Sequence, residues 1–350
     1  MPGDKDLIKV GIAGLGRSGW NIHAQLLQSL PDMYKIVSVC DPDESRREEA
    51  FNKFSCDTYT NFEDFLKNKE VELVIVATPN HLHSTHSIKA LEAGKAVVCE
   101  KPMATNLDDA DNMIRVAKET GSLLTVFQNR RYSPDFLKVR QVIQSGKLGR
   151  IVMIKMAYHS FSRRWDWQTL KEFGGGTLNN TGPHPIDQAL QLFGEKEPEI
   201  FCDLKKTLTL GDAEDHVKII MRAQDAPMID LEITSACAYP QKKWLVMGTQ
   251  GGLKGTMNTL QWKYFNPEDL PRRKVERRPT PDRSYNQEKI PWKEEFWDIH
   301  QDKSPGQLGF YLDLYKTMRK GASLSITPES ARRVMWVIEK CHQLANRRKP

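Results

Sequence analysis

Val10-Gly11-Ile12-Ala13-Gly14-Leu15-Gly16-Arg17-Ser18-Gly19 is the stretch that decides the fold. A short apolar run ends in G-x-G-x-x-G and passes into an amphipathic segment over 18–30. A buried strand that enters a helix through such glycines makes a cradle for an anion. Gly14 permits the tight turn, Gly16 lets a pyrophosphate approach the backbone, and Gly19 lets the helix lie close to the sheet with its N-terminus facing the anion. Leu15, Arg17 and Ser18 fill the loop, and with the three glycines they are the expected cofactor contacts. An acid closes the next apolar run, in Val39-Cys40-Asp41-Pro42. A carboxylate there accepts the ribose hydroxyls of NAD and repels a 2′-phosphate. Two alternatives stay open. Asp41 also suits a helix N-cap, and Arg46 and Arg47 just behind it suit the 2′-phosphate of NADP.

Outward from the loop, apolar runs at 7–13, 35–40, 72–77, 96–99 and 122–127 alternate with helix-like stretches at 43–54, 84–93 and 107–120. This alternation predicts a parallel sheet covered on both faces. After Arg131 the pattern changes. A helix is expected over 134–145, a strand over 151–159 and a helix over 179–193, then strands over 199–210, 216–222, 228–238 and 243–248. The segment 266–291, dense in proline and charge, reads as an exposed excursion, and helices over 308–320 and 327–345 close the chain. The expected fold is an α/β Rossmann domain over 1–130, binding NAD, plus an α+β domain over 131–350 with a large open, mostly antiparallel β-sheet that binds substrate and oligomerises.

Composition narrows the function classes. The 350 residues are 39% hydrophobic and 27% charged, with a net charge of +6, ordinary for a soluble globular chain. No apolar run approaches the ~18–20 residues needed to span a bilayer, and the polar start Met1-Pro2-Gly3-Asp4 lacks the layout of a secretory leader. Six cysteines are scattered with no Cys-x-x-Cys pair, which fits reduced thiols in the cytoplasm rather than a disulfide framework or zinc site. Excess positive charge sits at 271–283 and at Arg347-Arg348-Lys349, without the signature of a nucleic-acid binder. His81, His83 and His86 match no zinc spacing, so no metal is expected, and His83 is read as a cofactor contact. The expected partner is a small molecule.

Further motifs carry a resemblance. Ala77-Thr78-Pro79-Asn80-His81-Leu82-His83 follows the apolar run at 72–77, and Glu100-Lys101-Pro102 closes the next. Gly174-Gly175-Gly176-Thr177-Leu178 leads into Gly182-Pro183-His184-Pro185-Ile186-Asp187, and Ile326-Thr327-Pro328-Glu329-Ser330-Ala331 stands near the end. Together with the glycine loop, these resemble the glucose–fructose oxidoreductase, inositol dehydrogenase and MocA family over nearly the whole chain. The resemblance implies an active site in the cleft between the two domains and NAD-dependent oxidation of a secondary alcohol on a sugar, glycoside or cyclitol. It puts Thr78, Pro79, Asn80, Glu100 and Lys101 beside the cofactor, and it implies a cis Lys101–Pro102 bond and a homodimer or homotetramer built on the sheet face. The alternatives are a glycoside-cleaving enzyme that recycles NAD through a transient ketone, and a non-catalytic NAD-binding regulator.

Alcohol oxidation needs a base for the hydroxyl proton beside a nicotinamide. Lys101 ends a buried strand, where desolvation lowers the pKa of an ammonium; the plainer alternative is a salt bridge to Glu100. His184 titrates near neutrality and is the natural proton acceptor. On a helix over 179–193, positions 180, 184 and 187 share one face, so Asn180 and Asp187 are expected to meet substrate with His184. For Asp187 a helix-packing hydrogen bond is the alternative. Many members of the family carry an aspartate four residues before the histidine. Asn180 hydrogen-bonds but cannot share a negative charge, and this shifts weight to Lys101. Arg163, Arg164 and Trp167, ahead of the glycine run, and Arg131, after the last strand of the first half, complete the expected substrate contacts.

Overall fold

The computed structural model describes residues 6–280 and 283–346. The start over 1–5, Pro281 and Asp282 of the excursion, and the terminal Arg347, Arg348 and Lys349 lie outside the described residues. The Val- and Ile-rich runs of the first part form six strands: β1 (Ile8–Ala13), β2 (Tyr34–Cys40), β3 (Asp57–Tyr59), β4 (Leu73–Val76), β5 (Ala96–Cys99) and β6 (Leu124–Val126). They make one parallel sheet in the order β3-β2-β1-β4-β5-β6. Along β4 the side chains alternate between two cores: Leu73 and Ile75 join one with Val10 and Ile12, whereas Val74 and Val76 join the other with Val97 and Cys99. Burial on both faces explains why these runs read as continuously apolar. The strand order reverses between β1 and β4, and the crevice beyond their carboxyl ends is where a dinucleotide fits this topology.

Eight further strands follow: β7 (Ile151–His159), β8 (Glu199–Lys205), β9 (His216–Arg222), β10 (Met228–Thr234), β11 (Trp244–Gly248), β12 (Gly251–Gly255), β13 (Thr259–Tyr264) and β14 (Lys293–Asp298). Their order is β14-β13-β12-β11-β7-β10-β9-β8, antiparallel throughout except where β10 runs parallel to β7. Ile154, Met156, Ile219, Leu231 and Val246 of this sheet pack in one core with Ile186 and Leu190 of the helix Pro183–Phe193 and Val337 and Ile338 of the helix Pro328–Asn346. The opposite face stays open, with exposed Leu245, Met247 and Phe296 beside a charge ladder in which Lys218 pairs with Asp230 and Glu232. Among the described residues, no helix is long and apolar enough to cross a membrane.

One expected element is corrected. The helix read over 179–193 is two helices, Thr177–Asn180 and Pro183–Phe193. Pro183 lacks the N–H that a continuous helix would need and suits a first-turn position instead. Asn180 and His184 therefore do not share a helix face. The final helices fold back onto the first sheet: Tyr311, in the helix Leu308–Lys320, is wholly buried in the same core as Ile8 and Val10, and the Thr125 hydroxyl donates to the Ile326 carbonyl over 2.7 Å.

Candidate active site

The glycine loop has the geometry of an anion cradle. Gly14 sits at φ +91°, and a Cβ on it would lie 2.5 Å from the Ala77 carbonyl oxygen; a Cβ on Gly19 would strike Gly14 itself. Above Gly16 a Cβ would meet nothing within 4 Å, which leaves room for a pyrophosphate at the backbone. Asp41 is buried, and its Oδ2 accepts the Leu15 N–H at 2.7 Å. Its Oδ1 accepts the Asp43 N–H at 2.9 Å. The cap of the helix Glu44–Phe54 is Asp43, not Asp41, so the N-cap alternative for Asp41 falls. Carboxylate oxygens each have further acceptor capacity, so Asp41 fits a ribose diol while bracing the loop. Arg46 approaches the same Oδ2 at 3.5 Å.

At the carboxyl end of β5 the chain turns through a cis Lys101–Pro102 bond, as the resemblance implied. Glu100 is buried; its Oε1 lies 3.2 Å from His23 Nε2, and its Oε2 accepts the Lys101 N–H at 2.9 Å. Burial alone would raise the Glu100 pKa, but the hydrogen bond and charge of His23, with Lys101 beside it, hold it at about 2. His23 Nδ1 lies 2.6 Å from the hydroxyl of Tyr311, 288 residues away in sequence. The Lys101 ammonium therefore does not pair with Glu100. It donates to the backbone carbonyl of Asn180 over 3.2 Å. Burial pulls its pKa below the ordinary lysine range; Glu100 opposes this, and Arg17 and Arg130 add to it.

Arg17, Ser18, Glu100, Lys101, Arg130 and His184 line one cavity of about 560 Å³, with Asn129 and Gln307 also on its wall. His184 Nδ1 is buried without a hydrogen-bond partner among the described residues. Burial, and then the charges of Lys101 and Arg130, push its pKa down to about 3, so the ring is neutral at physiological pH. Asn129 is held by its amide, which donates to Gln307 Oε1 at 2.8 Å, and its own Oδ1 is left unpaired. A neutral imidazole, an ammonium biased toward the amine and the Asn129 side chain thus line one cavity beside the anion cradle. This arrangement can hold a hydroxyl and take its proton.

Other expected site residues lie elsewhere. Arg131 and Asp187 are both buried and form a bidentate pair, at 2.7 and 2.6 Å, and Arg131 also donates to Ser330 Oγ at 2.9 Å. Engaged with each other, they fasten elements together, as in the helix-packing alternative for Asp187; Arg130 is the neighbour that lines the cavity. His83 is buried, with ring nitrogens 2.7 Å from the Pro102 carbonyl and 2.9 Å from that of Thr78. It fastens the Thr78-Pro79-Asn80 turn to the Lys101–Pro102 turn. His86 stacks on Phe62 with ring centroids 4.0 Å apart. Arg164 is clamped on Asp166 and lines a second cavity together with Asn180. Asn180 Nδ2 donates to the Gln168 carbonyl at 3.0 Å. Arg163 is exposed, and Trp167, half exposed, meets Phe173 edge to face.

Comparison with known proteins adds three findings. The model of the Gfo/Idh/MocA oxidoreductase family, NAD-binding Rossmann fold, matches residues 8–128, and that of the Gfo/Idh/MocA C-terminal domain matches residues 136–254. The scyllo-inositol 2-dehydrogenase (NADP(+)) of Bacillus subtilis is 38% identical over 54% of this chain and 52% of its own length, so that match spans about half of the relative. Among solved structures, yvaA of Bacillus subtilis superposes with a TM-score of 0.84 at 24% identity, covering 98% of this chain and 97% of that one. The WlbA dehydrogenase of Bordetella pertussis, solved with NADH and UDP-GlcNAcA, superposes with a TM-score of 0.78 at 21% identity, covering 97% and 95%. These two likenesses are of fold.

Proposed function

The chain belongs to the Gfo/Idh/MocA family of oxidoreductases with an NAD-binding Rossmann fold, and on that premise we propose that it exchanges a hydride between NAD and a secondary alcohol of a sugar, glycoside or cyclitol. The observation that carries this reading is the convergence of Lys101 and His184 on one cavity beside the glycine loop. Bound at the loop, with Gly14, Gly16 and Gly19 against its pyrophosphate and Asp41 against its ribose, NAD would supply the hydride acceptor. The chain's own residues handle the hydroxyl. Lys101 Nζ, as the free amine, takes the hydroxyl proton, and the surrounding Arg17 and Arg130 favour that form. Neutral His184 holds the same hydroxyl through its ring, because a ring held near pKa 3 is too weak a base to keep a proton at neutral pH.

Asp41 supports NAD as the partner nucleotide, and Arg46 at 3.5 Å, with a relative named for NADP(+), makes assay of both nicotinamides necessary. The test is a panel of sugars, glycosides and cyclitols followed at the nicotinamide absorbance with each nucleotide. Reduction by at least one polyol is expected; silence across the panel, with nucleotide binding intact, overturns the reading. Self-association through the open sheet face is part of the same proposal. Phe296→Glu places a charge on that apolar patch and should shift the protein toward monomer in sedimentation equilibrium.

A further inference from the structure

The second cavity, of about 470 Å³, lies in the second domain against the Asn180–Thr181 turn. It adjoins the first at two seams. Lys101, on the wall of the first, donates to the carbonyl of Asn180, on the wall of the second. Tyr158, also on the second wall, donates to Gln188 Oε1 at 2.6 Å, and Gln188 donates to the Arg130 carbonyl at 2.7 Å. The volume falls in the range of about 300–1,000 Å³ typical of ligand sites.

The chemistry of the lining is specific. The arginine and the lysine on the wall each already have a carboxylate, and the one histidine lies beside another. Arg164 is bidentate to Asp166 at 2.9 and 2.7 Å, Lys243 sits 2.7 Å from Asp135, and His159 sits 3.1 Å from Glu232. The wall's own acids are answered by backbone donors. Asp215 accepts the N–H groups of Thr207, Leu208 and Thr209 at 2.5, 2.7 and 2.8 Å, and Glu214 accepts that of Leu178 at 3.0 Å. An anionic ligand would meet no unpaired cation here and would face two carboxyl groups, an arrangement that disfavours it. Hydroxyls remain. Those of Ser162, Thr177, Thr181 and Ser235 line the cavity with no protein partner among the described residues, and each can both donate and accept.

We infer that the second cavity is a subsite for the distal ring of a neutral glycoside, so that the substrate is a two-ring neutral sugar rather than a free cyclitol, a uronate or a sugar nucleotide. This rests on the oxidoreductase reading above, because Lys101 is taken as the point where the reacting ring stands. A lining that offers free hydroxyls while its arginine, lysine and carboxylates are internally paired recognises a polyol by exchange of hydrogen bonds, and it rejects a phosphate or carboxylate that cannot replace its water.

Calorimetry on the NAD-saturated protein tests this directly, with myo-inositol and glucose as single rings, cellobiose and maltose as neutral two-ring probes, and glucuronate and UDP-glucose as anionic ones. At least one two-ring probe should bind ten-fold or more tightly than either single ring, and the anionic probes should bind no better than glucose. Ser162→Trp, which fills the subsite, should abolish the two-ring advantage while NAD still quenches tryptophan fluorescence, showing that the fold is intact. Equal affinity for single and double rings, or preference for an anionic probe, overturns the subsite. If the two-ring probes bind as expected but no probe reduces the nicotinamide, the subsite stands and the redox reading fails. If single rings are oxidised and longer ones are not, the redox reading stands and the subsite falls.

Discussion

Lys101 and Arg131 are both basic, both withdrawn from solvent and both on turns that leave the parallel sheet, yet their surroundings are opposite. Arg131 has a bidentate carboxylate in Asp187 and a further acceptor in Ser330. Lys101 has a single backbone carbonyl, two arginines nearby and a carboxylate that His23 already occupies. Complete pairing makes Arg131 a fastener, and incomplete pairing leaves Lys101 with a labile proton. The comparison teaches how to separate structural from catalytic charge in this cleft: the group whose hydrogen bonds are unsatisfied is the one free to bond substrate.

The sharpest way to break that contrast is to remove each base in turn. Lys101→Ala should lower kcat by about 10²–10⁴-fold, the range for a positioned acid–base group, while nucleotide affinity and melting temperature change little. Near-normal turnover on an identified substrate would falsify the assignment. Arg131→Ala should do the reverse. It strands a buried Asp187 carboxylate, whose pKa burial already raises against the pull of Arg131, and breaking such a pair costs about 3–5 kcal/mol. Denaturant unfolding should register that loss, and the folded fraction should keep its turnover per active site. An unfolding midpoint unchanged from the parent would show that Arg131 is no fastener.

A smaller effect is expected at the cradle. Asp41→Ala removes a charge-assisted acceptor for both the loop and the ribose, and NAD binding should weaken by about 1–3 kcal/mol. NADP binding should weaken less, so discrimination narrows. Fluorescence titration of both nucleotides checks it, and a parent protein that prefers NADP would sink the role given to Asp41.

The first sheet was legible in the sequence because burial on both faces writes continuous apolar runs, and the glycine spacing has few structural solutions. β3 escaped because its three residues are largely exposed. β12 begins on paired glycines and β14 opens on Lys293-Glu294-Glu295, whereas β13 alternates as β9 and β11 do and carried the same readable period. The site was legible only where a motif fixed a turn, at Gly14–Gly19 and at Glu100-Lys101-Pro102. The helical periodicity that joined Asn180, His184 and Asp187 failed because Pro183 starts a new helix. His23 carried no local signal, since its partners, Glu100 and Tyr311, are 77 and 288 residues away. Arg130 and Arg131 are adjacent and chemically identical, and only the position of Asp187 decides which one faces the cavity.

The smallest expected effect concerns which group titrates. His184 is held near pKa 3 and is neutral throughout the working range, whereas Lys101 is drawn down from the lysine range. If the free amine of Lys101 is the base, kcat for alcohol oxidation should rise with pH as the ammonium loses its proton. His184→Ala should lower the plateau of that profile without moving its limb. Asn180→Asp should move the limb. The Asn180 carbonyl already accepts from Lys101, and its side chain is held by donating to the Gln168 carbonyl. An aspartate cannot donate, so the carboxylate is repelled from Gln168 and free to turn toward the ammonium. An opposite charge at that range favours the protonated lysine, so its pKa rises and the limb shifts to higher pH by about one unit. A limb that disappears in His184→Ala makes the imidazole the base. A limb unmoved in Asn180→Asp, with the rest of the profile intact, means that the new carboxylate stays in the second cavity, and the coupling between the two cavities through Lys101 is then confined to the backbone.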